Sequence, residues 1–183
     1  EMVAAKETTF ANFEGNLDNQ IPVAPGIDGD YVFTAGATDA DPDTLTHPMD
    51  LKYWETTATV YDALGGKHTL KFTFIRGMDD DGSVGGAPSQ WQVLIKDQDY
   101  GKYYNESGGF ASDDTLEDIT HGLLFKADGT LDTAATDGIV EITVPGKNGS
   151  GDIVDLKIDF TKLTQFANES NAAVTSSDGY PQG

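Results

Sequence analysis

Aspartates stand at every second position in Asp39, Asp41 and Asp43, with Asp50 at the twelfth place counted from Asp39. A calcium loop uses such spacing to converge side-chain oxygens on one cation. The rest of the frame departs from an EF-hand. Thr44 stands where the sharp turn needs glycine, prolines occupy positions 42 and 48, and no helical pattern flanks the run. A second acidic run, Asp79-Asp80-Asp81-Gly82, has Gly77 in the first ligand position. Both runs read as solvated acidic loops, with a weak adventitious cation site as the alternative, and no metal ligand is assigned. His47, His68 and His121 are scattered through a hairpin turn and two loops and read as surface residues rather than a site.

Nucleophilic and cofactor chemistry have no carrier. The serine-elbow, zincin, phosphate-loop and dinucleotide motifs are all missing. Cysteine is absent, which excludes disulfides, thiolate metal sites and thiol catalysis. With 31 acidic residues, a glycosidase-like carboxylate pair can be drawn almost anywhere, so sequence alone cannot select one. The chain is read as a non-enzyme with no catalytic residue, no cofactor and no metal. Trp54, Trp91, Tyr100, Tyr103 and Tyr104 could form a stacking platform for sugars. The tryptophans fall on apolar strand faces, so core positions for them and loop anchoring for the tyrosines are the preferred reading.

What must position any such residues is a β framework. The 183 residues carry a formal charge of −20, which opposes nucleic acid and anionic membrane alike. Hydrophobic residues at 38% suffice for a core, and no apolar run is long enough to span a bilayer. Period-two alternation dominates. Trp54, Thr56, Ala58 and Val60 share one face; Leu70, Phe72 and Phe74 share another after the turn Asp62-Ala63-Leu64-Gly65-Gly66-Lys67. These runs predict a hairpin over residues 53–75 with Val60, Leu70, Phe72 and Phe74 inward. Trp91, Val93 and Ile95 mark a further strand, and residues 123–131 a second hairpin around Asp128-Gly129. Val140, Ile142 and Val144 alternate, as do Val154, Leu156, Ile158 and Phe160. Residues 10–17 form a weaker strand candidate. Leu163, Phe166 and Ala167 have helical spacing, so at most a short helix is expected near 162–169.

The expected fold is all-β, an antiparallel β-sandwich or barrel-like domain over residues 1–183, with long polar excursions at 19–50, 77–88 and 97–120 lying on its surface.

Four segments bear a family resemblance. Residues 59–70 (TVYDALGGKHTL) resemble the TVYDSLGN-x-H-x-L hairpin of bacterial flagellar hook proteins. Residues 123–131 (LLFKADGTL) resemble their L-x-F-x-x-x-G-x-L hairpin. Residues 156–170 (LKIDFTKLTQFANES) resemble LDF-x-x-LTQF-x-x-x-S, and residues 177–183 (SDGYPQG) resemble the QDGY-x-x-G return strand. The segments occur in the family's order; the three excursions have no firm counterpart.

The resemblance implies a structural domain of the hook, the flexible universal joint between motor and filament, with distal rod proteins as a related alternative. It implies an extracellular location, export by the flagellar type III pathway without a cleaved signal, and an outer domain cut from a longer chain. It also implies partners: other copies of the subunit in a helical tube, with hook-capping and junction proteins beyond them. Outside that family, the alternatives are a secreted carbohydrate- or calcium-binding β module and a secreted hydrolase with an unrecognised carboxylate pair. An isolated domain so acidic is expected to be monomeric. In a packed tube the few cations should face acidic loops of neighbours, with Lys67 and Lys147 the foremost candidates.

Overall fold

The computed structural model describes residues 3–23, 31–47, 52–78 and 87–183. The acidic run 79–82 and Asp50 therefore lie outside the described residues. The hairpin read from alternation is present as β4 (Trp54–Tyr61) and β5 (Lys67–Arg76), paired antiparallel with Val60 opposite His68 and Thr56 opposite Phe72. Val60, Leu70, Phe72 and Phe74 are all fully buried, as their shared face requires. β5 pairs in turn with β6 (Gln90–Asp97). The far side of β6 is shared by two short strands, β7 (Lys102–Tyr103) along its last residues and β8 (His121–Leu124) along its first.

A second sheet has the order β11-β1-β10-β9, with β1 at Phe10–Asn16, β9 at Ile139–Val144, β10 at Ile153–Thr164 and β11 at Ala173–Ser177. Its inner face meets that of the first. Phe13 lies edge-on to Phe72 with ring centroids 4.8 Å apart and tilted against Phe160 at 4.9 Å. Apolar faces packed this way make a sandwich. Neither sheet closes into a barrel.

Two expectations need correction. The sheet is not purely antiparallel, because β1 runs parallel to β10. Parallel neighbours need a long crossover rather than a hairpin, and here residues 17–152 lie between them. The strand through residues 154–160 does not keep one phase. Asp155 adopts φ 52° and the pairing with β9 slips between Ile153 and Leu156. This bulge turns Val154 out to 61% exposure and puts Ile153 in the core instead. Where at most a short helix is expected, near 162–169, Leu163 belongs to none. β10 continues to Thr164 because β1 bonds it as far as Asn16 opposite Thr164, and backbone pairing of that length outweighs a three-residue helical spacing. Among the described residues the only helical element is the 3₁₀ turn Glu117–Ile119.

The excursions are more than surface loops. Residues 32–46 supply an antiparallel ribbon, β2 (Val32–Thr34) with β3 (Thr44–Thr46), and residues 102–119 supply β7 and the 3₁₀ turn. Together they cover the outer face of the first sheet. Tyr31, Phe33, Met78, Tyr103, Ala111 and Ile119 gather there over Ile75 and Leu94 as a second core. β6 is consequently buried on both sides, with Trp91, Val93 and Ile95 inward and Leu94 outward.

Candidate assembly surface

The residues with the greatest chemical potential turn out to be structural. Asp43, from the spaced aspartates, is buried; its carboxylate accepts from the backbone N–H of Gly36 and Tyr103, each at 2.8 Å, and from Lys102 Nζ at 3.3 Å. It ties the ribbon to β7. Asp39 and Asp41 stay exposed beside it. Among the described residues no three acidic or histidine side chains converge as metal ligands would.

His68 and His121 are buried, against expectation. His68 Nε2 lies 2.8 Å from Asp62 Oδ2, a pairing across the hairpin turn. Burial alone would push the Asp62 carboxyl up. Hydrogen bonds from His68 and from the N–H groups of Gly66 and Leu64 outweigh it and hold the group below the usual range. His121 donates from Nε2 to Tyr104 O at 3.2 Å, and burial keeps its imidazole toward the neutral form.

Trp91, Tyr103 and Tyr104 are buried as well, and Trp54 is half-buried with its indole N–H donated to Ala172 O at 2.8 Å. No exposed ring platform is formed by them. The Tyr104 hydroxyl donates to Asp97 at 2.8 Å; burial and that carboxylate hold the phenol far above its normal titration range.

The four recognisable segments come together as two pairs, at different ends of the sandwich. At one pole the β4–β5 turn rests on both chain termini. Thr8 donates its backbone N–H to Tyr61 O and accepts the Tyr61 N–H on its hydroxyl, both at 2.9 Å. A side chain at Gly65 would meet Gln182 N at 2.9 Å. The termini are themselves laddered: Lys6 and Tyr180 exchange two bonds of 3.0 Å, and Val3 and Gly183 pair beyond them. Asp178 locks this ladder, receiving Lys6 Nζ at 2.6 Å, Thr9 N at 2.7 Å, Phe10 N at 3.1 Å and the Thr9 hydroxyl. Partial burial opposes its charge, yet the four donors hold the carboxyl well below the ordinary aspartate range.

The other pair is the Asp128-Gly129 turn and the end of β10. Gln165 N donates to Gly129 O at 2.8 Å, and Trp91 Nε1 donates to the Gln165 side chain. Gly129 has φ 87°, and a Cβ there would stand 2.2 Å from the ring of Phe166. Both facts require glycine. Gly129→Ala is expected to lower stability by about 1–3 kcal/mol, read as a reduced urea midpoint with an unchanged slope.

Most cations are already engaged within the chain. Lys147 pairs with Asp99 at 2.9 Å, so it is not a free contact for neighbours. Lys6, Lys102, Lys126, Lys157 and Lys162 have carboxylate partners at 2.6–4.0 Å. Lys67, exposed at the hairpin turn beside the exposed Leu64, has no such pair among the described residues. The remaining outer surface is acidic, with Glu106, Asp113, Asp114 and Glu117 on one exposed stretch.

Residues 27–180 match the sequence model of the flagellar basal body protein FlaE D2 domain family. No curated protein matches the chain. Solved structures similar to it include the flagellar hook protein FlgE2 of Helicobacter pylori, at 18% identity and TM-score 0.43 over 77% of this chain and 28% of that one. A 32 kDa fragment of the hook protein FlgE of Caulobacter crescentus matches at 16% identity and TM-score 0.41, over 69% of this chain and 46% of that one. The chain thus spans less than half the length of either. The family match covers most of the sequence, and the chain belongs to the FlaE D2 domain family.

Proposed function

We propose that the chain is a structural domain of the bacterial flagellar hook, on the outer surface of a flexible tube of identical subunits. The family match over residues 27–180 carries this reading. The physics of the surface supports it. A joint that bends while rotating needs contacts between neighbours that break and re-form, and exposed ion pairs are worth only about 0–1 kcal/mol each. The surface is polar and acidic, and Lys67 is a cation available to a neighbour's acidic loop. The role is mechanical rather than catalytic, with other copies of the subunit as the principal partners and hook-capping and junction proteins at the tube's ends. Export through the flagellar type III pathway fits a cysteine-free domain.

An antibody raised against the 183-residue chain tests the reading by immuno-electron microscopy of intact cells. Label is expected along the curved segment between cell body and filament. Label on the filament alone, on the general cell surface, or nowhere on the flagellum overturns it.

A further inference from the structure

Gln92 is fully buried on the outer face of β6, and neither its Oε1 nor its Nε2 has a hydrogen-bond partner. Buried carboxamides are ordinarily satisfied at both ends. The side chain forms part of the floor of a cleft of about 410 Å³, lined also by Gln90, Glu106, Thr120, Gly122, Thr136 and Asp137. A second recess of about 240 Å³ continues it past His121 toward Glu141.

Gly122, opposite Gln92 in the β6–β8 pair, is exposed at the cleft mouth. It lies within a strand, without the positive φ that favours glycine. A Cβ there would stand 3.5 Å from Gln92 Nε2 and 3.7 Å from Oε1, an ordinary contact. Neither backbone nor crowding requires glycine, and what its missing side chain leaves is a window beside the buried carboxamide, whose atoms are its nearest neighbours. Gly122 sits between the pairs that exchange backbone bonds with β6: Phe125 N bonds Ser89 O, which by antiparallel alternation turns the Gly122 N–H and C=O outward to the cleft.

From these observations we infer a binding site for a neutral, hydroxyl-rich ligand, a single pyranose unit of a glycan. Glu106 and Asp137 repel anions. A cation would leave Gln92 Nε2 unmatched. Two unmet carboxamide atoms call for a donor and an acceptor on adjacent ligand atoms, which a vicinal diol supplies. Acceptors outnumber donors around the cleft, and each sugar hydroxyl donates as well as accepts. An extended peptide offers fewer donors, half of them facing away. The volume is within the range of small-ligand sites. This inference is independent of the assembly reading.

The test is a ¹H–¹⁵N titration of the chain with methyl β-D-glucopyranoside, methyl β-D-galactopyranoside, N-acetyl-D-glucosamine and, as a peptide surrogate, N-methylacetamide. At least one sugar is expected to shift the Gln92 side-chain amide and the Gly122 backbone amide with a millimolar Kd. Gln92→Leu should weaken binding by about tenfold or more without lowering Tm, because it replaces an unsatisfied amide by an apolar group. Gly122→Val, on an exposed strand position, should close the window and abolish the shifts while leaving the fold intact. The inference fails if no sugar moves the Gln92 amide, if shifts scatter over exposed residues, if both variants bind as the parent does, or if N-methylacetamide alone binds, which would assign the cleft to peptide.

Discussion

Phe72→Ala should destabilise the domain by about 3–5 kcal/mol. The Phe72 ring is fully buried and makes edge contacts with Phe13 at 4.8 Å and with Phe160 at 6.2 Å. It is therefore the point where the hairpin sheet grips the second sheet, and truncation removes both apolar burial and the facing aromatic edges. Neighbouring strands cannot collapse into the gap, because β5 is held on both sides by β4 and β6. Reversible urea unfolding followed by tryptophan fluorescence measures the loss, with Phe72→Leu as a milder control. A cost below about 1 kcal/mol would mean that the two sheets do not share the core described.

Loss of the Asp178 carboxylate should have the second largest effect and should be visible as a change in pH dependence. Asp178→Ala strips four donors of their acceptor, including the N–H groups of Thr9 and Phe10. Hydrogen bonds to a charged group set the scale at about 2–3 kcal/mol. The sign of the linkage is fixed by direction: the folded carboxyl titrates below the unfolded one. Its contribution is thus complete above about pH 4 and is lost as pH falls through the folded value. The parent should lose stability between neutral pH and about pH 3, and the variant should lose less over the same interval. Equal acid sensitivity in the two proteins would show that other carboxylates govern the acid limb.

Alternation and turn chemistry made the β4–β5 hairpin legible down to the inward residues, because one buried face leaves a period of two in the sequence. The same rule misled at Val154, since a bulge changes phase without a compositional mark; aspartate tolerates the left-handed backbone that makes it, but so do many loop aspartates. Pairing of β1 with β10 joins residues such as Ala11 and Ile158, and nothing local to either strand encodes that partner. The second core was hidden for a different reason. Ile119 stands singly in a polar stretch, and Tyr31 and Phe33, two apart on one face, make a run too short to announce a covered sheet. His68 could have been read from the Asp62 turn, where an acid within the loop and a histidine just after it face one another once the strands pair. Gln92 could not, because a polar residue on the outward phase of a strand looks solvated until something is seen to cover it.

The laddered ends have a mechanical consequence. Tension applied between residues 3 and 183 would pull two adjacent antiparallel segments apart sideways, so their bonds would be loaded in series instead of together. Opening would begin at the Val3–Gly183 pair and pass to Lys6–Tyr180. It would then meet Asp178, where four bonds converge on one carboxylate and must yield at once. A pull on the ends should therefore release a few residues of the ladder at low force and stop there, leaving the sandwich unstrained behind an aspartate that acts as a mechanical latch.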